Sequence, residues 1–310
     1  MQLIPWQYQT QYGFSLRGYT TQPRGLPLLH VLHGNGFCSR MYQPLLELLY
    51  PQFDLFLSDA QGHGDSDHGG HFVGWNESAE LALDAFLAHR HKFGNVPCYA
   101  VGHSFGAVLT ALINSRSDSP FQKAVLLDPV LFSPLMLGSM RLLDWIGLYR
   151  HNPMAKKARK RRASWPDRQH AWNYLHQRGM FKGWHDDALA AYIDHALQQG
   201  EAQFSLKCPP SREADIFASY PKGLWTALKK PCSPSLLLYG DKTYSFVTKS
   251  ARKWALVNPA VQLIQVKGGH CFMQEDPSTS AALIQTFLTP SDHLADLSVT
   301  APFHVTEVDL

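Results

Sequence analysis

The stretch "YAVGHSFGAVL", residues 99–109, carries Gly102-His103-Ser104-Phe105-Gly106 between an apolar run and a helix-forming one. G-x-S-x-G at such a corner has a mechanical meaning. The serine occupies a strained turn with its hydroxyl projecting from the edge of a sheet, and the flanking glycines let backbone pass where a side chain would clash. The pattern alone is common. Its place between "VPCYAVG" (96–102), read as a strand, and "FGAVLTALINS", read as a helix, makes Ser104 the candidate nucleophile.

Outward from this corner the alternation repeats in both directions. Two half-alternating stretches over 2–20 predict a hairpin at a sheet edge. "LPLLHVL" (26–32) and "FDLFLSD" (53–59) read as strands, and "NESAELALDAFLAHRHKF" (76–93) as a helix with Asn76 as N-cap. "KAVLLD" (123–128), "SLLLYG" (235–240) and "VQLIQV" (261–266) are further strands, with helices near 246–257 and in "PSTSAALIQTFL". Short apolar runs alternating with helices predict an α/β fold with a doubly wound, mostly parallel sheet covered on both faces.

After Asp128 the alternation stops. Residues 133–230 read as helical and aromatic, with no convincing strand, and are expected to form a cap inserted after the sixth strand. The core is then 1–132 with 231–310, although the tail beyond Pro290 carries no pattern. Trp145, Trp165, Trp172, Trp184 and Trp225, with Tyr149, Tyr174 and Phe181, are candidates either for an apolar pocket above Ser104 or for the cap's own core. The cap also holds "NPMAKKARKRRASW", with six basic residues from Lys156 to Arg162, a helix capped by Asn152 and Pro153. Such a run is either a solvated face or an attraction for acidic substrates or anionic surfaces.

Composition narrows the classes. Apolar residues make up 45% and charged residues 17%, the balance of a globular chain with a sizeable core. A formal charge of +3 argues for neither nucleic acid nor membrane by itself. Five scattered cysteines with no C-x-x-C pair suggest reduced thiols rather than a disulfide frame or zinc site. No signal peptide or membrane span is visible, so a cytoplasmic protein of undetermined oligomeric state is expected.

The second chemical motif is "HVLHGNGFCS", where a strand ends at His33-Gly34 and a loop begins. Acyl transfer needs two donors aimed at the developing oxyanion: usually the amide after the nucleophile, here Phe105, and one from an early loop. The backbone N–H of Asn35 is the choice for the second.

"HGNGF", "SDAQGHGDSD" and "GHSFG", in this order, resemble the α/β-hydrolase fold superfamily, in its serine-nucleophile branch with a helical cap. The likeness spans nearly the whole chain to about 290. It implies a largely architectural loop at Asp59–Ser66, so that Asp59, His63 and Ser66 take no catalytic role. It also implies a histidine in a loop after the last strand, which "KGGHCFM" supplies as His270, placed to take the Ser104 proton and return it to the leaving group.

The acid is left open between two residues. In the family it most often lies three or four residues after a glycine that follows the seventh strand, where this chain has Thr243 and Tyr244; Asp241 follows Gly240 directly, too early by two or three positions. Relatives such as haloalkane dehalogenases carry the acid after the sixth strand, where this chain has Asp128. Asp128 is preferred, with Asp241 as the alternative.

A serine nucleophile argues against halide- and epoxide-opening chemistry, which needs a carboxylate at this position. The resemblance therefore implies a serine hydrolase acting through an acyl-enzyme on a small or medium, largely apolar carboxylic ester, with no metal or organic cofactor. A thioesterase, amidase, C–C hydrolase or acyltransferase would use the same serine. A non-catalytic binding protein on this fold is the remaining alternative.

Overall fold

In the computed structural model, residues 1–289 are described. An eight-stranded sheet forms the centre. Its strands are β1 (Ile4–Gln9), β2 (Ser15–Thr20), β3 (Leu28–Leu32), β4 (Asp54–Asp59), β5 (Cys98–His103), β6 (Lys123–Leu127), β10 (Ser235–Gly240) and β11 (Val261–Val266). They lie in the order β1-β2-β4-β3-β5-β6-β10-β11. The β1–β2 hairpin at one edge is antiparallel and joins β4 antiparallel; every later pair is parallel.

Side-chain alternation along these strands divides the core in two. Leu29 and Val31, Leu55 and Leu57, Tyr99 and Val101, Val125 and Leu127, and Leu236 and Leu238 face one side, under α1 (Gln43–Leu49) and α12 (Pro277–Leu288). The intervening Leu28, Leu32, Phe56, Ala100, Leu126 and Leu237 face the other. There they meet α2 (Trp75–Arg90), α3 (Phe105–Asn114) and α10 (Ser245–Val257). Burial on both faces explains why these strands read as continuous apolar runs.

Residues between β6 and β10 form α4 (Pro134–Trp145), α5 (Pro153–Arg159), α6 (Arg168–Leu175), α7 (Asp186–Ala196), α8 (Pro210–Phe217) and α9 (Leu224–Leu228). The expectation that no strand occurs here is overturned. β7 (Ser164–Trp165), β8 (Leu197–Gln199) and β9 (Phe204–Leu206) make a small antiparallel sheet. Runs of two and three residues that include Gln and Ser are too short to carry a period.

The side chain of Asn152 caps α5 as expected, accepting from the Ala155 amide at 3.0 Å. Asn76 does not cap α2, which starts one residue earlier with Gly74 at the cap position. Instead Asn76 bonds both backbone groups of Lys222, tying the segment to the core. Arg212, fully buried, holds the same segment down by donating to the carbonyls of His68 and Gly70 at 2.7 and 2.6 Å. No helix among the described residues is long and apolar enough to cross a membrane, and none of the five cysteines is disulfide-bonded.

His30 stands in the middle of β3, stacked on Phe86, with Nε2 at 2.9 Å from the Ser58 hydroxyl. Burial lowers its pKa to about 3. The unfolded chain then takes up a proton near pH 6.5 that the folded chain refuses, so stability is complete above that pH and is lost as the pH falls toward 3. The slope is at most about 1.4 kcal/mol per pH unit for this residue. Urea midpoints measured between pH 7 and pH 4 are expected to fall less steeply for His30→Leu than for the parent protein.

Candidate active site

The corner between β5 and α3 is built by close backbone approach. Ser104 adopts φ 55° and ψ −113°, a conformation disfavoured for a residue with a side chain. A methyl group on Gly106 would collide with the carbonyl groups of Leu32 and His33, so α3 begins against the end of β3. The sheet ladder carries on past the strand ends: the Ser104 amide donates to Leu127 O at 2.9 Å, and the Asp128 amide to Leu238 O at 2.8 Å. Ser104 and Asp128 thus sit side by side on neighbouring strands. Asp128 is also left-handed, with φ 44°.

The structure brings Ser104, Asp128 and His270 together. His270 Nε2 is 2.8 Å from Ser104 Oγ, and its Nδ1 is 2.5 Å from Asp128 Oδ2. Nδ1 facing a carboxylate is the donor, which leaves Nε2 as the acceptor of the serine proton. Asp128 is fully buried and accepts two further bonds: one from the Gly240 amide to Oδ1 at 3.0 Å, one from the Thr243 hydroxyl to Oδ2. Asp241, by contrast, is exposed and accepts from the Gly268 amide at 2.9 Å. It shapes the turn before His270 and does not touch the imidazole.

In the sequence Thr243 stands where the family most often has its acid. It stands there as a hydroxyl that supports the acid from the next strand. Gly240 matters in a second way, because a side chain on it would meet the carbonyls of Gly268 and Gly269 in the His270 loop. His103 is a variable position of G-x-S-x-G, and the motif gives no sign of its role. Its Nε2 lies 3.0 Å from the His270 carbonyl, which can only accept, and its Nδ1 lies 2.7 Å from Tyr42 Oη. Burial, followed by the charge of His270, holds its pKa well below the usual histidine range. A neutral His103 therefore fixes the backbone of the His270 loop.

The HGNG loop is fixed in a similar way. His33 Nδ1 donates to the Gly34 carbonyl at 2.8 Å while its Nε2 accepts from the Ala60 amide at 2.9 Å. His63 accepts from the Gly36 amide at 3.0 Å and donates to the Gln61 carbonyl at 3.0 Å. Burial pushes both pKa values down, as acceptor nitrogens require. Asp59 accepts from the Ser39 and Asp65 amides, and Ser66 donates to the Asp59 carbonyl. These are structural bonds between loops. The amides of Asn35 and Phe105 have no acceptor among the described residues.

The aromatic residues divide. Trp184, Tyr192 and Phe181 pack on one another and onto Phe37 of the HGNGF loop, while Trp165 is buried beside them. Tyr149 and Trp225 are also buried, and Trp172 and Tyr174 are half-buried. Trp145 is 84% exposed, so it lines no pocket. Besides His103, at 5.1 Å, the ring beside the imidazole is Tyr244, at 5.3 Å from His270 and itself stacked on Phe246. Arg161 turns inward from the basic run to bond Glu213 at 2.6 Å and Tyr192 at 2.8 Å beside Gly36. No cluster of three His, Cys, Asp or Glu side chains among the described residues is arranged to hold a metal ion.

The sequence profile of the alpha/beta hydrolase family matches residues 29–283, and the chain belongs to that family. No curated protein matches the sequence. Among solved structures, it is similar to an E-2-(acetamidomethylene)succinate hydrolase at 19% identity and TM-score 0.73, covering 92% of this chain and 99% of that one. A thioesterase domain from the curacin biosynthetic pathway is similar at 17% identity and TM-score 0.66, covering 92% and 99%. An esterase of M. tuberculosis is similar at 16% identity and TM-score 0.64, covering 92% of each chain.

Because Gly106 faces backbone rather than a side chain that can move aside, even one methyl group there forces α3 away from β3. Gly106→Ala is expected to lower stability by about 1–3 kcal/mol. The check is a lower urea midpoint at unchanged slope.

Proposed function

We propose that this chain is a serine hydrolase that cleaves small or medium, largely apolar carboxylic esters through an acyl-enzyme on Ser104. The observation that carries the reading is the unbroken relay from Ser104 Oγ through His270 to Asp128 Oδ2, with spacings of 2.8 and 2.5 Å. In this reading His270 Nε2 takes the hydroxyl proton as Ser104 Oγ bonds to the ester carbonyl carbon. Asp128 steadies the resulting imidazolium through Nδ1. The oxyanion is received by the amides of Phe105 and Asn35, each worth about 10²–10³ in rate in comparable sites. His270 then returns the proton to the departing alkoxide, and water repeats the sequence to release the acid.

Residues 133–230 serve as the cap in this proposal, with Arg161, Tyr192 and Glu213 next to the HGNG loop. Ser104 is only 7% exposed, which favours substrates of modest size. The apolar preference rests on the aromatic rings close to the relay, Tyr244 beside His270 and Phe37 stacked on His103. A halide or epoxide mechanism is disfavoured because the attacking group is a hydroxyl rather than a carboxylate.

A fluorophosphonate probe tests the nucleophile and the acid together. Labelling is expected of the parent protein and not of a folded Ser104→Ala variant. Asp128→Asn is expected to slow ester turnover by about 10⁴-fold, as loss of the orienting acid does in such triads, whereas Asp241→Asn keeps the parent order of magnitude. Failure of the folded parent protein to label, with the probe shown to reach the site, would remove the proposal. Equal rates in the two Asp variants would remove Asp128 from it.

Thr243→Val tests the support of the acid separately. Losing one hydrogen bond to Asp128 is expected to lower kcat about tenfold with KM unchanged, in line with about 1.5 kcal/mol for a bond to a charged group. Thr243→Ser, which keeps the hydroxyl, is expected to restore most of the rate.

A further inference from the structure

α4 has an unusual relation to the rest of the molecule: none of its residues is fully buried. Leu135 and Trp145 are each 84% exposed, Leu142 61% and Ile146 52%. These positions are spaced at i, i+7 and i+10 or i+11, so they form one stripe along the helix. Leu143 and Leu148 extend the patch. The opposite face is the attached one, where Leu137 packs on the core and Asp144 accepts from the Tyr220 hydroxyl. Single exposed apolar residues are ordinary, but a contiguous ridge of leucines with a tryptophan marks a contact surface.

The charge that follows this ridge in the chain points to its partner. Residues 133–165 contain eight Lys and Arg side chains and one acid, Asp144, although the whole chain carries only +3. On α5, Ala155 and Ala158 are buried against Ala214 of α8. Lys156, Lys157, Arg159 and Lys160 are consequently exposed. No ion pair satisfies any of these four among the described residues.

From the ridge and the charge together we infer that α4 and the basic face of α5 form a docking surface for an anionic lipid bilayer. Apolar side chains of an interfacial helix enter the headgroup boundary while the neighbouring cations meet anionic headgroups. A second copy of this chain is a poorer occupant, since a two-fold contact would bring the same dense positive charge against itself. The surface also adjoins the site. α4 starts six residues after Asp128. Phe132, just before it, stacks on Phe246, which in turn stacks on the Tyr244 ring beside His270. Docking therefore sets this lip of the site toward the lipid.

Co-sedimentation with vesicles tests the inference, using phosphatidylcholine alone and phosphatidylcholine mixed with phosphatidylglycerol. The parent protein is expected to sediment with the mixed vesicles and to be released by high salt, but to stay free of pure phosphatidylcholine. The combined change Lys156→Gln, Lys157→Gln, Arg159→Gln and Lys160→Gln is expected to weaken partition about fivefold per charge removed. Leu142→Ser with Trp145→Ser is expected to weaken it at least tenfold, by loss of buried apolar surface. Both variants change exposed side chains, and an unchanged Tm verifies that they fold. Absence of binding to the mixed vesicles overturns the inference, as does parent-like binding by both folded variants. A concentration-dependent dimer abolished by the Leu142→Ser and Trp145→Ser change also overturns it, by showing the ridge to be a self-contact.

Discussion

The contact on which the site depends is backbone against backbone, where α3 begins beneath the last carbonyl groups of β3. It exists because Gly106 has no side chain. That approach forces the chain to turn within one residue, which puts Ser104 at φ 55° and leaves the Phe105 amide at the first, unbonded position of the helix. It also brings this amide next to the loop that starts at His33. Strain at Ser104 is sustained by the ladder bond from its amide to Leu127 and by the dense core around α3. A turn that would be unstable alone is over-determined by its surroundings.

The acid illustrates how geometry, rather than position in the chain, governs such a constellation. An imidazole presents Nδ1 in one direction, and the ends of β6 and β10 are adjacent there. A carboxylate on either strand can meet it. Here the carboxylate comes from β6, and β10 supplies donors instead, through the Gly240 amide and the Thr243 hydroxyl. The carboxylate of one strand end and the donors of the other meet at the same side of His270. Asp241 keeps a part in the same loop, bonding the amide of Gly268, whose φ of 122° no side chain would readily allow.

Much of the fold was legible because burial on both faces writes a parallel strand as an apolar run. β11 and α12 have the very bounds that their sequence patterns predicted, and Ser235–Gly240 likewise. Legibility fails where structure depends on a distant partner. Asn76 looks like a helix cap, but Lys222, far along the chain, claims both ends of its amide group. β7, β8 and β9 pair only because α7 returns the chain beside Trp165. Helical spacing placed Trp145 on a helix without telling which way that helix faces. Order in the chain favours Asp128 over Asp241 without closing the question, because the answer turns on which strand end lies beside Nδ1. The core assignment of 231–310 extends past the described residues from 290 onward.

The chain has 16 histidines, and four of them near the site fall into two chemical kinds by their bonding partners. His33, His63 and His103 are buried and engage backbone groups: carbonyls accept from one nitrogen of each, while an amide or the Tyr42 hydroxyl occupies the other. A proton added to any of them would break an existing bond in a dry environment, so they act as fixed struts. His270 differs on both counts. Its two nitrogens meet side chains, an acid and a hydroxyl, and its side chain is 19% exposed. Protonation there exchanges one hydrogen bond for another beside a carboxylate already in place. His103, whose ring lies 5.1 Å from that of His270, holds its own proton still, which confines proton movement in the proposed reaction to the line from Ser104 to His270.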